Sequence, residues 1–129
     1  MAYSVNNPAG KIVQNVIDEL PTLMAIAVVD VTSGMSLASH TNSPNINPDT
    51  AAAYNTEVVK QKQKAMSALK LTGETIEDIL ITLSNQFHLI RLLLDGHVFV
   101  DDPNPAFARN GDRHVGFGDG VHRGRHQRR

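Results

Sequence analysis

Two of the three Asn-Pro pairs, Asn7-Pro8 and Asn47-Pro48, divide the sequence into two units that each begin with a helix and continue with strands. Asparagine is a favoured helix N-cap and proline is favoured in the first helical turn, so each pair marks a helix start. Apolar residues follow both pairs at helical spacing. The pattern predicts an amphipathic helix over 8–20 and a long helix over 48–71, with Gly73 as its C-terminal cap.

The segments between and after these helices are rich in β-branched and apolar residues and are separated by turn signals. Asp95-Gly96 is a typical hairpin pair. Strands are predicted at 23–31, 35–40, 76–83, 87–94 and 97–101. Strands joined by hairpins, with helices on both faces, indicate an α/β (α+β) three-layer sandwich. We expect a five-stranded antiparallel sheet with the long helix on one face and the shorter helix or helices on the other.

The composition is that of one small domain in a reducing compartment. The chain has 129 residues and no cysteine, which excludes a disulfide framework, a thiolate zinc site and a cysteine nucleophile. The polar N-terminus has no signal-peptide pattern, and no apolar stretch is long enough to span a bilayer. A cytoplasmic protein without membrane insertion is therefore expected.

Charge and composition change near residue 110. Residues 1–109 carry a net charge of −4, whereas residues 110–129 carry +3 and are rich in Gly, His and Arg. We therefore predict a folded domain over 1–109 and a disordered tail over 110–129. The tail histidines, together with the arginines, could bind metal or polyanions; these histidines are His114, His122 and His126. A solvated tail is favoured over such a site. Nucleic acid is an unlikely partner.

The sequence lacks a recognisable active site. Asp30 and Ser33 suit a turn that satisfies local backbone groups, and no Gly-x-Ser-x-Gly elbow surrounds Ser33. His88 is expected to be a structural strand histidine; His97 could lie near it across the hairpin, but two histidines do not make a metal site. The tail glycines follow no strand and precede no Gly-Lys-Ser/Thr ending. No catalytic, cofactor-binding or metal-binding residue is predicted.

Glu77 and Asp78 are adjacent carboxylates at the start of a predicted strand. Neighbouring strand residues point to opposite faces, so the two are not expected to share a site. Arg91 lies among leucines on the next strand and is expected to pair with one of these carboxylates, with partner contact as an alternative.

Several phrases in this order resemble the roadblock / dynein light chain family over about residues 8–109. The matching phrases are Ala25-Ile26-Ala27-Val28-Val29-Asp30 with Thr32-Ser33-Gly34, the helix after Asn47-Pro48, Ile79-Leu80-Ile81-Thr82, Phe87-His88-Leu89-Ile90-Arg91, and Asn104-Pro105-Ala106-Phe107-Ala108-Arg109. The resemblance implies dimers formed through the long helix and the neighbouring edge strand. Bacterial members of this type regulate or partner Ras-like small GTPases, and others are dynein-associated or scaffold subunits.

The C-terminus departs from the family pattern. The linker after the last strand is shortened to Asp101-Asp102-Pro103, and Pro105 stands where the family has leucine. The apolar turn expected beyond Arg109 is absent. The family's third helix is therefore expected to be frayed or missing.

The long helix is the most informative element for function. Its residues fit either a solvated helix packed on a sheet or a helix that pairs with a second copy, and the resemblance favours pairing. The predicted dimer and partner interface consists of Ala51, Tyr54, Val58, Lys62, Ala65, Met66 and Glu77. The function expected is a non-enzymatic homodimeric protein-binding module that regulates or partners a Ras-like small GTPase. A structural adaptor subunit of a larger complex is the main alternative, and a small enzyme with an unrecognised site is the third.

Overall fold

The computed structural model describes residues 4, 6–94 and 96–104. In chain order its elements are α1 (Pro8–Glu19), β1 (Ala25–Asp30), β2 (Ser36–Thr41), α2 (Pro48–Ala68), β3 (Asp78–Thr82), β4 (Phe87–Leu92) and β5 (Gly96–Asp102). The five strands form one antiparallel sheet in the order β2-β1-β5-β4-β3. Helix α1 covers one face over β1 and β2, and α2 covers the other over β1, β2 and β5. This arrangement confirms the predicted three-layer sandwich.

Strands β1, β3 and β4 are shorter than predicted, whereas β5 is longer by one residue at each end. Strand β4 ends at Leu92 rather than at residue 94, because the backbone of Leu93 donates to the carbonyl of Gly96 and turns the chain into β5. Gly96 itself lies in β5, where an added Cβ would clash with the carbonyl oxygen of Val29. Glycine is required here because β1 and β5 approach too closely for any side chain.

Both helices begin at the predicted asparagine caps. The Asn7 side chain accepts a hydrogen bond from the backbone N–H of Gly10 at 2.7 Å. The Asn47 side chain accepts bonds from the N–H groups of Asp49 and Thr50 at 2.9 and 3.2 Å. These bonds satisfy N–H groups that lack a partner within the helix, so the two Asn-Pro signals act as the sequence indicates.

The predicted C-terminus of α2 is wrong. The helix ends at Ala68, and the left-handed residue that follows it is Lys70, with φ of 58°, not Gly73. The N–H of Lys70 bonds the carbonyl of Ser67, and the N–H of Leu71 bonds that of Met66. These two bonds form a Schellman motif. The motif places a lysine where glycine is usually found, which the sequence pattern did not reveal.

Lys70→Gly is expected to stabilise the protein by about 0.5–1 kcal/mol, because glycine adopts a positive φ without the steric penalty of a Cβ. The measurement is the free energy of unfolding in urea. Ser67→Gly is the matched control: this residue lies inside the last helical turn, so glycine there should destabilise. A Lys70→Gly variant no more stable than the parent would contradict the strain argument.

The core divides into two layers, one on each side of the sheet. The α1 layer joins Val13 and Val16 of the helix to strand residues such as Ile26, Val98 and Val100. The α2 layer consists of two smaller clusters, formed by Ala27, Val29 and Ala52, and by Val59, Ile90 and Phe99. Helix α2 therefore crosses the sheet from β1 towards β4. The predictions for Pro105 to Arg109 and for the 110–129 tail fall outside the described residues.

Candidate protein-interaction site

Helix α2 buries only a narrow stripe against the sheet. Ala52, Thr56 and Val59 are its fully buried residues, spaced i, i+4 and i+7. Ala53 and Lys64 are exposed on one flank of this buried stripe. A helix that packs only on a sheet would be polar everywhere outside its buried stripe. The remaining face of α2 does not follow that rule.

A second apolar stripe runs beside the buried one. Ala51, Tyr54, Val58, Ala65 and Leu69 are spaced i, i+3, i+7, i+14 and i+18, which places them on one face. Tyr54 is 73% exposed, Val58 40% and Leu69 65%. We call these five residues the α2 stripe. Large apolar side chains that are aligned and exposed on one helix face are typical of a protein-interaction surface.

The α2 stripe borders, through Ala51, the half of the sheet that α2 leaves largely uncovered. Ala51 packs beside the Val59, Ile90 and Phe99 cluster, together with Ile79 of β3. Helix α2 packs mainly on β1, β2 and β5, and it reaches β3 only at the margin of this cluster. An exposed helix stripe and a partly uncovered sheet face therefore adjoin each other.

The outer edge of β3 closes this surface. Strand β3 is last in the sheet order, and no described strand pairs with its outer side. Its registered pairs with β4 run without interruption from Asp78 opposite Arg91 to Thr82 opposite Phe87. Leu80 is 44% exposed on it. A regular, apolar edge strand is a template for pairing with another strand.

The opposite edge of the sheet is less suited to pairing. In β2 the register shifts between Val28 and Val29, because Ala38 lies opposite Val28 and Ser36 opposite Val29, so Leu37 is an extra residue. Such a bulge bends the strand and interrupts its row of hydrogen-bonding groups. The two edges therefore differ, and β3 is the one that offers a flat surface.

The structure brings most of the predicted interface residues together. Lys62 is exposed and lies in line with the α2 stripe, eleven residues after Ala51, next to Ala65. Met66 is half-buried and lies to one side, in a groove of about 440 Å³ shared with Leu71 and Leu92. Glu77 is half-buried just before β3, and its backbone carbonyl accepts the N–H of Leu92. Met66 and Glu77 thus border the surface rather than lie in the stripe.

The predicted interface residues leave out several members of this surface. Leu69 and the two β3 isoleucines, Ile79 and Ile81, belong to it or border it, whereas Leu80 lies opposite Leu89 and so on the α1 side of the edge strand. The apolar run of β3 gave a signal for a strand, and the resemblance implied that the strand next to the long helix is an edge. The strand order shows β3 at the edge, and its register shows which of its side chains lie on the α2 side.

Asp30 and Ser33 form a turn, as predicted. One Asp30 carboxylate oxygen accepts the Ser33 hydroxyl at 2.7 Å and the Ser33 N–H at 3.2 Å. The Ser33 hydroxyl bond is the main reason that the pKa of Asp30 is lowered. The serine proton is held by a carboxylate within the turn, and no base from another element approaches it in the described hydrogen bonds. This is the geometry of a turn rather than of an activated nucleophile.

Arg91 is buried and paired. It is 4% exposed, and its guanidinium lies 3.1 Å from the carboxylate of Asp78, one of the two predicted partners. A buried guanidinium held by a neighbouring strand is not available to reach into another protein as an arginine finger. Partner contact through Arg91 is therefore not supported.

His88 and His97 lie at different ends of the hairpin, which corrects the expectation that they could be neighbours. His88 is opposite Asp101, whereas His97 is opposite Leu92. His88 Nε2 lies 3.3 Å from an Asp101 oxygen. In the amide orientation that satisfies its neighbours, Gln86 donates to both Asp101 oxygens at 2.6 and 2.8 Å. The Asp101 side chain is only 2% exposed, while that of His88 is 24% exposed.

His97 is fully buried between α2 and β5. Its Nε2 lies 3.0 Å from the Thr56 hydroxyl, which in turn donates to the Ala52 carbonyl at 2.8 Å. Because a threonine hydroxyl has one proton, Nε2 of His97 must be the donor to Thr56. Nδ1 is then a buried acceptor with no hydrogen-bond partner among the described residues. Burial lowers the pKa of His97 to about 4.

Other classes of site are absent from the part of the chain that the structure describes. In residues 4, 6–94 and 96–104, no three histidine or carboxylate side chains come together as metal ligands would. Over the same residues, neither helix has the length and apolar character needed to cross a bilayer.

Comparisons of sequence give no match: no protein-family model matches the chain, and no curated protein matches it. Solved structures do match. The roadblock/LC7 domain from Streptomyces avermitilis superposes with a TM-score of 0.60 at 12% identity, covering 70% of this chain and 74% of that one. An MglB structure with a tetrameric arrangement has a TM-score of 0.64 at 16% identity and covers 87% and 88%. The gliding protein MglB from Thermus thermophilus has a TM-score of 0.58 at 18% identity and covers 74% and 70%.

The chain has the roadblock fold. The strand order, the two covering helices and the superpositions agree on this point. At sequence identities of 12–18%, these superpositions establish the fold alone. The role of the α2 stripe and the β3 edge depends on their own chemistry rather than on the fold.

Proposed function

We propose that this roadblock-type domain forms a homodimer through the α2 stripe and the outer edge of β3. The observation that carries the proposal is the exposure of Tyr54, Val58 and Leu69 along one helix face, directly beside an uncovered part of the sheet. A two-fold axis at β3 would pair two copies of the edge strand and bring the two stripes into contact. Both exposed apolar features would then be buried in one step.

The dimer is proposed to act as a non-enzymatic binding partner of a Ras-like small GTPase. The chain resembles a family whose bacterial members regulate or partner such GTPases, and it shares its fold with MglB proteins. In addition, the polar groups that could have formed a catalytic site are engaged within the domain: Asp30 holds Ser33, and Asp78 holds Arg91. Any effect on GTP hydrolysis would then come from positioning the GTPase's own residues.

Light scattering over a range of concentrations tests the dimer, and a twofold mass at micromolar concentration is expected. Binding is tested with Ras-like GTPases loaded with GDP or with a non-hydrolysable GTP analogue. We expect nucleotide-dependent binding, a change in hydrolysis rate on addition of this protein, and no hydrolysis by this protein alone.

A strictly monomeric protein would overturn the dimer, and the absence of binding to every GTPase tested would overturn the partner. Binding that does not depend on the bound nucleotide would favour the adaptor function instead, because a scaffold subunit need not distinguish the two states of a switch.

A further inference from the structure

A buried carboxylate lies on the same sheet face as α2, near the end that α2 does not cover. Asp101 accepts hydrogen bonds from Gln86 and lies 3.3 Å from His88, and we call these three residues the Asp101 recess. Within the described residues, no lysine or arginine pairs with Asp101. An amide and an imidazole are weaker counter-groups for a buried carboxylate than a lysine, which carries a full charge at neutral pH.

The recess lies close to the proposed dimer edge. His88 is opposite Ile81 of β3, one residue before that strand ends at Thr82. His88 is also the more open member of the His88–Asp101 pair, at 24% exposure against 2%. A molecule that approaches from the β3 edge on the α2 side would pass Ile81 and then meet His88, with the carboxylate behind it on the next strand.

Two-fold symmetry determines which part of a second copy reaches the recess. Strand β3 begins beside the C-terminal half of α2, where Met66 and Leu71 share a groove with Ile76 and Leu92, and it ends beside His88. When two identical strands pair antiparallel, the start of one lies beside the end of the other. The C-terminal half of the second copy's α2 must then approach the recess of the first.

That half of α2 has the complementary charge. Between Val58 and Gly73 the chain contains Lys60, Lys62, Lys64 and Lys70 and no acidic residue. Lys62 is the one charged residue in line with the α2 stripe, whereas Lys60 reaches back to the Thr32 carbonyl at 3.4 Å. A charge within an otherwise apolar contact surface requires a counter-charge once that surface is covered.

We infer that Lys62 of a second copy docks over the Asp101 recess, so that each dimer contains two symmetric lysine–aspartate contacts. This inference rests on the proposed dimer and goes beyond it, because it assigns the contact that sets the register of the two copies. The charge of Lys62 also makes a second copy of this chain a better occupant of the recess than an uncharged surface. His88 and Gln86 form the rim across which the lysine ammonium faces the carboxylate.

Removal of the Lys62 charge tests the contact. Lys62→Met is expected to weaken dimerisation about fivefold and to reduce its dependence on salt, as for a partly exposed ion pair. Lys64→Met is the matched control: it removes the same charge from the same helix on the solvated side. Equal dissociation constants for the two variants, measured by sedimentation, would overturn the inference.

Disulfide trapping provides a second measurement, which reports the proximity of two residues rather than the free energy of dimerisation. The sequence contains no cysteine, so no native thiol competes with the introduced ones. The double variant Lys62→Cys/Gln86→Cys is expected to oxidise to a covalent dimer. Lys64→Cys/Gln86→Cys and each single variant should not do so to the same extent. Suppose that light scattering shows a dimer but the cysteine at position 62 forms the disulfide no better than the cysteine at position 64. The lysine–aspartate contact would then be overturned, while the proposed dimer would stand. A monomer in every assay would overturn both.

Discussion

Val58→Asp is expected to convert the dimer into a monomer, with a dissociation constant at least about 100-fold higher than that of the parent. Val58 lies in the middle of the α2 stripe and is 40% exposed, so an aspartate there remains hydrated in the monomer. In the dimer the carboxylate would be buried against apolar side chains, at a cost of several kcal/mol. Light scattering and sedimentation at matched concentrations measure the change.

The control for this variant is Ala53→Asp. Ala53 is exposed on the same helix, away from the α2 stripe, so the added charge meets only water there. The control should dimerise as the parent does. Both variants should retain the circular dichroism of a folded domain when they are diluted to the monomer. A Val58→Asp protein that dimerises as tightly as the control would show that the α2 stripe is not the interface.

Acid is expected to destabilise the domain through His97, by up to about 3 kcal/mol between pH 6.5 and pH 4. The unfolded imidazole titrates near 6.5, and burial lowers the folded pKa to about 4. In this interval the unfolded state binds a proton that the folded state does not. The full contribution is therefore present above pH 6.5 and is lost progressively as the pH falls.

Urea unfolding across this pH range measures the effect, at a fixed protein concentration. His97→Gln removes the titrating group, so the free energy of unfolding should change less between pH 6.5 and pH 4. This holds even if the substitution alters the packing and therefore the stability at pH 7. His40→Gln, in the half-exposed strand β2, is the control that should leave the dependence in place. NMR of the imidazole nitrogens should show His97 as the neutral Nε2–H tautomer down to about pH 4. A protonated His97 at pH 6 in the folded protein would contradict the burial argument.

Local signals in the sequence predicted the elements well. The asparagine caps fix both helix starts, because the bonds from Asn7 and Asn47 to nearby N–H groups depend on a few neighbouring residues only. The end of α2 was misplaced because its left-handed residue is Lys70, and no sequence rule identifies a lysine as a cap while Gly73 is close by. The pairing of Arg91 with Asp78 was predictable because the two lie directly opposite on adjacent strands.

The candidate site was predictable in part. Helical spacing alone places Ala51, Tyr54, Val58 and Ala65 on one face, so the α2 stripe is present in the sequence. Whether that face meets solvent or the sheet is not a local property. Leu69 and Ile79 belong to this surface only because of how α2 crosses the sheet and because β3 is the last strand.

By itself, the sequence determined the order and type of the elements, the absence of cysteine chemistry and the change in composition near residue 110. Each of these follows from short-range spacing, capping or residue type. Tertiary structure alone decided that α2 leaves the β3 side of the sheet largely uncovered, that His97 is buried, and that Asp101 lies behind His88, two strands in from the β3 edge. These facts depend on which distant segments pack together, and packing is set by the sum of contacts over the whole domain rather than by any one stretch of residues.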